Sequence, residues 1–366
     1  MQKIFISLFF ILSISSFSQQ EKNTFSYIQA STFYGNILKH NKNVGHFLTN
    51  HPTGFMLSWN KKTTGKNAWE HRFNYPDFGI SIAYQDYKNP ILGKLYSLYA
   101  HYNFYLLPRK NNNQLVLRAG WGIAYNTNPY NKVTNPKNVA FGTAINSSTY
   151  FKLFYKREHI IHNLGFNAGL TFIHASNSSV KSPNTGVNVW ATTIGLNYNL
   201  QDETKLDYLP FKEEKKYKEK IKYNFVFRFG ANESDYIGSG VKPFYVLSAY
   251  ADKRIGRKSA LQFGADYYVS YMLKDYIELN YQLDHTYKKG DFKRGGLFVG
   301  HELFINKLSL ITQLGYYVYY PVEVEGRIYE RLGLKRYFNN KWFVSISLKA
   351  HAAKAETVAF GVGIRL

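Results

Sequence analysis

The chain has 366 residues, no cysteine and a formal net charge of +22, and aromatic residues make up 18% of it. The lack of cysteine excludes a disulfide framework and a lipidated N-terminal cysteine. A basic charge of this size is compatible with binding to nucleic acid or to an anionic membrane surface, so composition alone leaves both open.

Residues 1–18 have the pattern of a secretory signal peptide. Lys3 gives a positive start, Ile4–Ile14 form an apolar core, and small residues suit cleavage before Gln19. The core is too short to span a bilayer as a helix, so a retained anchor is the less favoured alternative. A secreted chain rarely meets nucleic acid. We therefore expect no nucleic-acid partner, and attribute the basic charge to an anionic outer leaflet or, as the alternative, to solvated loops.

The rest of the chain alternates between large apolar residues and small or polar ones with a period of two residues. The segment 114–126 illustrates this, since Leu117, Trp121 and Tyr125 share one face and Arg118 and Gly122 lie on the other. A soluble sheet would also alternate. Aromatic residues on one face against Gly, Ser and Asn on the other favour strands with lipid outside and a wet interior.

Sixteen segments with this pattern are predicted strands. They span 24–33, 52–61, 78–87, 95–107, 114–126, 145–156, 161–176, 187–200, 222–231, 241–253, 259–271, 292–304, 307–319, 327–337, 340–351 and 356–366. Bacterial outer-membrane barrels have an even number of strands. The sequence therefore predicts an all-β fold, a transmembrane antiparallel β-barrel of about 14–16 strands in the bacterial outer membrane.

A charged segment, 202–222, interrupts the strand pattern. It includes Lys212, Glu213, Glu214 and Lys215, a mixture typical of a solvated linker or surface helix. It could be a boundary between two smaller barrels. We favour one barrel over residues 19–366, because eight strands starting from a periplasmic N-terminus would return the chain to the periplasm and make this segment a long turn there.

Three polar residues continue the lipid-facing rows of two predicted strands. His174 and Ser176 end the row that contains Phe172, and Asn188 begins the row that contains Trp190. Residues i and i+2 of a strand share a face about 7 Å apart, which allows an imidazole to take the proton of a serine hydroxyl. A third group on the next strand could orient the ring. The alternative is that the strand simply ends in the headgroup zone; the pattern alone favours neither.

The segment HASNSSVKSPNTGVN resembles the signature of the outer-membrane lipid A 3-O-deacylases, also called acyloxyacyl hydrolases: His-x-Ser-Asn, then Pro-Asn-x-Gly and a polar residue. The resemblance implies that His174 is the general base and Ser176 the nucleophile. It also implies that Asn177 and Asn184 shape the oxyanion site and that Gly186 is the loop glycine. It covers roughly residues 50–200.

The family's third catalytic residue is a glutamate twelve residues after the serine, where this chain has Asn188. An amide oxygen can orient a histidine but cannot stabilise the imidazolium by charge, so we expect a lower turnover. A second block, WGIAYNTNPYNKVTNPKNVAFGTAIN, resembles the long form of the family. Its residues Asn135, Asn138 and Asn146 are expected to order the adjoining loop and have no catalytic role.

The resemblance implies an esterase that removes an acyl chain from lipid A, with lipopolysaccharide as substrate, outer-membrane lipid as surroundings, and no metal or other cofactor. The eleven histidines are scattered, and no metal-binding motif occurs. One alternative is a non-catalytic porin or structural barrel, since sixteen strands can enclose a channel. Another is an esterase acting on phospholipid. The sequence also leaves open a homodimer and which acyl chain is removed.

Overall fold

The computed structural model describes residues 24–40, 42–202, 206–210, 217–339, 341–352 and 354–366. The predicted signal peptide and residues 203–205 and 211–216 of the charged segment lie outside the described residues. No helix in the described part of the chain is long and apolar enough to cross a membrane.

Nearly all of the described chain is antiparallel strand. The first eight strands are β1 (Ser26–Ile37), β2 (Thr53–Lys61), β3 (Asp77–Asp86), β4 (Lys94–Tyr105), β5 (Asn113–Asn126), β6 (Ile145–Ile161), β7 (Leu164–Ser176) and β8 (Val187–Asn199). The next eight are β9 (Lys222–Asn232), β10 (Lys242–Arg254), β11 (Ser259–Ser270), β12 (Arg294–Phe304), β13 (Leu308–Tyr319), β14 (Ile328–Tyr337), β15 (Trp342–His351) and β16 (Lys354–Arg365). Short helices are a 3-10 turn (Lys42–Phe47), α1 (Ala68–Arg72) and α2 (Tyr271–Leu283).

The prediction of an all-β, antiparallel transmembrane barrel fold with sixteen strands is confirmed, but the strands close as two barrels of eight. The expectation of one barrel is wrong. Strand β8 pairs with β1 along its length, from Tyr27 opposite Asn199 to Ile37 opposite Val189. Its other edge pairs with β7, so β8 has no edge left to pair with β9. Strand β9 likewise pairs with β10 and β16. The charged segment therefore joins two closed barrels.

The barrels lie side by side in the same orientation. The connections after odd-numbered strands, including 127–144, 177–186 and 233–241, lie at one end of both barrels, which we call the loop end. The opposite end is the turn end. Ser179 and Glu233 meet at the loop end, where the Glu233 amide donates to the Ser179 carbonyl at 3.2 Å. At the turn end, the Lys258 ammonium lies 4.7 Å from the centre of the Phe73 ring.

Side chains fill both barrel interiors. Near the loop end of the first barrel, Phe33, Ile173 and Val189 belong to a buried apolar cluster. Deeper inside, the fully buried Arg118 donates to Asn60 Oδ1 at 2.9 Å and to Asn103 Oδ1 at 2.6 Å. Because an eight-stranded barrel is just wide enough for its own side chains, the predicted wet interior is instead polar and packed.

The second barrel contains buried ion pairs. Arg331 donates to Asp266 at 2.9 Å and Lys335 donates to Glu302 at 2.8 Å, with all four side chains buried. The outer walls are apolar: Trp121, 40% exposed, and Trp342, 50% exposed, point outward. This apolar-out, polar-in alternation is that of a barrel in lipid.

Candidate active site

The three predicted site residues meet at the loop end of the first barrel, on its outer wall. His174 of β7 lies directly opposite Asn188 of β8 in the strand register. The inward neighbours Ile173 and Val189 are buried in the barrel, whereas Trp190 is 47% exposed. The period-two pattern therefore predicted the correct face for His174 and Asn188. Ser176 ends the strand and is 5% exposed.

A chain of hydrogen bonds joins the three side chains. Asn188 Oδ1 lies 2.6 Å from His174 Nδ1, and His174 Nε2 lies 3.0 Å from Ser176 Oγ. An amide oxygen can only accept, so Nδ1 carries the ring proton and the Nε2 lone pair faces the serine hydroxyl. This tautomer is the one in which a histidine can remove the hydroxyl proton.

The loop that follows the serine, residues 177–186, is called the catalytic loop below. The backbone amide of Asn177 donates to Asn184 Oδ1 at 2.9 Å, and Asn177 Nδ2 donates to the Lys181 carbonyl at 2.7 Å. The Ser178 amide points at Ser176 Oγ at 3.4 Å. Among the described residues, Asn184 Nδ2 has no hydrogen-bond partner. Asn177 therefore holds the loop together, while Asn184 keeps a donor available.

Gly186 packs against the serine and the histidine. Its φ of +66° lies in the left-handed region, and a Cβ placed there would lie 3.0 Å from Ser176 Cβ and 3.2 Å from His174 Cε1. Only glycine satisfies both the backbone conformation and the close approach without strain. The resemblance implied a loop glycine at this position, and the geometry gives the reason.

The second sequence block, in the connection between β5 and β6, forms hydrogen bonds with the catalytic loop. Asn138 Oδ1 accepts the amides of Ala140 and Phe141 at 3.1 Å each, which shapes the connection between β5 and β6. The Val139 and Ala140 carbonyls then accept the amides of Thr185 at 3.0 Å and Gly186 at 3.2 Å.

The two other asparagines of the block also bond to loop backbone. Asn135 Nδ2 donates to the Asn128 carbonyl at 2.9 Å, and Asn146 Nδ2 donates to the Thr143 carbonyl at 3.0 Å. These contacts agree with the ordering role expected for the block. Sequence reasoning missed the contacts that the second barrel makes with the catalytic loop, because they join residues with no shared motif.

Two family models match the chain, one on each barrel. Residues 53–197 match the lipid A 3-O-deacylase (PagL) model, and residues 221–366 match the model of the acyloxyacyl hydrolase C-terminal domain. The chain belongs to this family of lipid A deacylases. The protein is located in the bacterial outer membrane. Members of the family are outer-membrane hydrolases that act on lipid A esters. The first match ends at residue 197 and the second begins at residue 221, so the two matches divide the sequence where β8 of the first barrel ends and β9 of the second begins.

No curated protein matches this deacylase-family chain. Solved outer-membrane barrels match it only weakly. Neisserial surface protein A has 13% identity and a TM-score of 0.30, covering 47% of this chain and 96% of its own. Omp33 of Acinetobacter baumannii has 10% identity and a TM-score of 0.18, covering 95% and 99%. At these TM-scores the likenesses carry no argument about function.

The described part of the chain contains no group of three or more His, Asp or Glu side chains placed to hold a metal ion. The groups present in the site are the Ser176 hydroxyl, the His174 imidazole, the Asn188 amide and the Ser178 backbone amide.

Proposed function

We propose that this family member removes an ester-linked acyl chain from lipid A, with Ser176 as nucleophile, His174 as general base and Asn188 orienting the histidine. The observation that supports this most is the hydrogen-bond chain Asn188–His174–Ser176 on the lipid-facing wall. Polar side chains in that position are costly unless they lie at the interface or have a function. Here they are joined in the order that nucleophilic catalysis needs.

The reaction proceeds in two halves. In the first, the Ser176 hydroxyl proton passes to His174 Nε2 while Oγ forms a bond to the acyl carbonyl carbon. We assign stabilisation of the oxyanion to the Ser178 amide, which lies 3.4 Å from Ser176 Oγ, and to Asn184 Nδ2, which has no hydrogen-bond partner among the described residues. Collapse of the intermediate breaks the ester bond, and His174 returns the proton to the departing lipid A oxygen. Lipid A lacking that chain is released, and the chain remains on Ser176 as an ester.

In the second half, His174 takes a proton from water and the hydroxide oxygen attacks the acyl-serine carbonyl. The proton returns to Ser176 Oγ as the fatty acid leaves. Asn188 keeps the Nε2 lone pair directed at the reacting oxygen in both halves, but it adds no negative charge beside the imidazolium. A turnover lower than that of a Ser-His-carboxylate site follows.

The position on the wall fits a lipid substrate. We place the loop end at the cell surface, since the predicted cleavage of the signal peptide would leave the N-terminus in the periplasm and make every odd-numbered strand run outward. Phe172 and Trp190, which pair across β7 and β8 with ring centres 5.3 Å apart, border the site on the side of the membrane. An acyl chain of lipid A can then reach Ser176 while its tail stays in the outer leaflet.

The test is mass spectrometry of lipid A from cells that express the wild type or Ser176→Ala. The wild type should convert lipid A to a form lighter by one acyl chain, and Ser176→Ala should not. Ser147→Ala is the matched control, because Ser147 lies opposite Ser176 on β6 and its hydroxyl accepts from the Trp121 indole.

Ser147→Ala should leave conversion intact. Lipid A unchanged by the wild type, or equal conversion by Ser176→Ala, would refute the proposed reaction. Release of fatty acid from phospholipid, with lipid A untouched, would show that the substrate is different.

A further inference from the structure

The second barrel touches the catalytic loop directly. The Ser182 amide donates to Glu233 Oε2 at 2.8 Å, and the Ser182 hydroxyl donates to the Ser234 carbonyl at 2.6 Å. The Ser179 hydroxyl donates to the Ala355 carbonyl at 2.7 Å, and the Ser179 carbonyl accepts the Glu233 amide at 3.2 Å. Four hydrogen bonds thus join the middle of the loop to the β9–β10 connection and to the start of β16 in the second barrel.

Glu233 is held in place on its own side. Its Oε1 accepts the Gly240 amide at 2.9 Å, so one carboxylate oxygen binds the β9–β10 connection and the other binds the catalytic loop. The side chain is 6% exposed. A buried carboxylate that accepts backbone amides makes hydrogen bonds stronger than neutral pairs do, and their geometry is fixed by two backbones.

The first barrel also packs against this stretch of the loop. A Cβ built on Gly142 would lie 2.6 Å from the Lys181 carbonyl and 2.7 Å from the Pro183 carbonyl, so the β5–β6 connection packs tightly there. The stretch from Ser179 to Pro183 therefore contacts both Gly142 of the first barrel and Glu233 of the second.

The position of residues 179–183 determines where the proposed oxyanion donors, Asn184 Nδ2 and the Ser178 amide, lie. Asn184 immediately follows this stretch, and Asn184 Oδ1 accepts the amide of Asn177, the residue next to the nucleophile. The Asn177 side chain in turn donates to the Lys181 carbonyl. A shift of residues 179–183 therefore moves both Asn184 Nδ2 and the backbone that leads to the Ser178 amide.

We propose that the second barrel is a positioning element for the catalytic loop and that Glu233 is its positioning residue, setting the oxyanion donors against Ser176. This rests on the proposed function of Ser176. It assigns to the C-terminal barrel a role in the reaction at the other barrel, rather than a separate activity or a channel. Glu233 does not touch the reacting atoms and acts through Ser182 and Asn184.

The test compares Glu233→Ala, Glu233→Gln and the wild type as full-length protein in lipid A-containing vesicles. Asp235→Asn is the matched control, because Asp235 is a carboxylate of the same connection that pairs with Lys354 at 2.6 Å on the exposed surface. The measurements are kcat and KM for acyl release, and the rate at which a fluorophosphonate probe labels Ser176. The labelling rate reports the nucleophile and its oxyanion donors without requiring lipid A.

We expect Glu233→Ala to lower kcat and the labelling rate together by about tenfold or more, with KM nearly unchanged. Glu233→Gln retains one carbonyl oxygen and should recover part of the loss, while Asp235→Asn should match the wild type. Wild-type rates for Glu233→Ala, or a change confined to KM, would overturn the proposal. A change in KM alone would make the second barrel a substrate-binding element instead.

Two further measurements keep the outcomes separate. If Glu233→Ala fails to fold, judged by loss of the faster-migrating unheated band on a gel, the Ser179→Ala/Ser182→Ala double variant removes two of the four bonds from the first barrel alone. It should slow labelling in the same direction, and an unchanged rate would refute positioning. Ser176→Ala separates a failure of this inference from a failure of the proposed function. Activity that depends on Ser176 but is unchanged in the Glu233 variants refutes only the positioning role of Glu233. Activity that persists in Ser176→Ala refutes the proposed function.

Discussion

Replacing Asn188 with aspartate tests the third member of the site at almost constant shape. Asn188 Oδ1 lies 2.6 Å from His174 Nδ1, so the aspartate would place a carboxylate oxygen where the amide oxygen is now. When Ser176 gives up its proton, the His174 ring becomes positive, and a carboxylate attracts that charge whereas an amide does not. The substitution therefore acts on the transition state more than on the resting enzyme.

The size of the effect follows from the surroundings of the pair. Unit charges about 4 Å apart attract by about 1 kcal/mol in water and about 4 kcal/mol near a protein surface. His174 and Asn188 are half-buried, and the new carboxylate loses some hydration, which offsets part of the attraction. A net gain of about 1–2 kcal/mol corresponds to roughly a five- to thirtyfold higher kcat for Asn188→Asp.

The opposite perturbation is Asn188→Ala, which removes the acceptor and frees the ring to take the other tautomer. Loss of about 1–1.5 kcal/mol from the hydrogen bond predicts a kcat roughly tenfold lower. Asn188→Glu restores the residue type that the family resemblance implied, but its side chain is one methylene longer, so its gain should be smaller than that of aspartate.

The assay is the release of free fatty acid by purified protein at saturating lipid A, across a pH series. Asn188→Asp in the Ser176→Ala background must remain inactive, which shows that any gain passes through the same nucleophile. If aspartate and alanine variants both turn over at the wild-type rate, Asn188 does not orient His174. The assignment of the third residue would then be wrong, whatever the distance between them.

Three other outcomes are expected. Gly186→Ala should lower kcat roughly five- to a hundredfold while the barrels still fold, since about 1–3 kcal/mol of backbone strain falls beside Ser176; an unaffected rate would contradict this. Asp266→Ala should destabilise the second barrel by about 3–5 kcal/mol in urea unfolding from vesicles, because Arg228 and Arg331 would keep buried charges without their carboxylate. In planar bilayers the protein should show no porin-sized conductance, because two filled eight-stranded barrels replace the single wide one; a stable large channel would oppose that expectation.

The faces of the strands could be predicted because they depend on local sequence. Successive side chains of a strand point to opposite sides, so Trp121 and Arg118 had to lie on opposite faces wherever the strand was placed. The same rule brought His174 and Asn188 to one face. Their direct pairing across β7 and β8 comes from the structure, because the connection 177–186 is too long for its length to fix the strand register.

The closure of the strands could not be predicted in this way. One barrel of sixteen strands and two of eight require the same alternation, the same hairpins and the same apolar outer face. They differ in whether β8 pairs with β1 or with β9, and in whether β16 pairs with β9 or with β1. The partners that close each barrel lie far apart in the sequence. The charged segment after β8 was compatible with both, so the preference for a long turn inside one barrel was wrong.

The sequence by itself determined that membrane-crossing strands alternate apolar and polar faces and that His174 and Asn188 share the outward face, because both are consequences of the two-residue repeat. Only the tertiary structure decided that the chain forms two barrels, and that Glu233 of one binds Ser182 in the catalytic loop of the other. Those contacts join residues from different closed sheets. No local pattern encodes them, since they depend on how two finished barrels pack side by side.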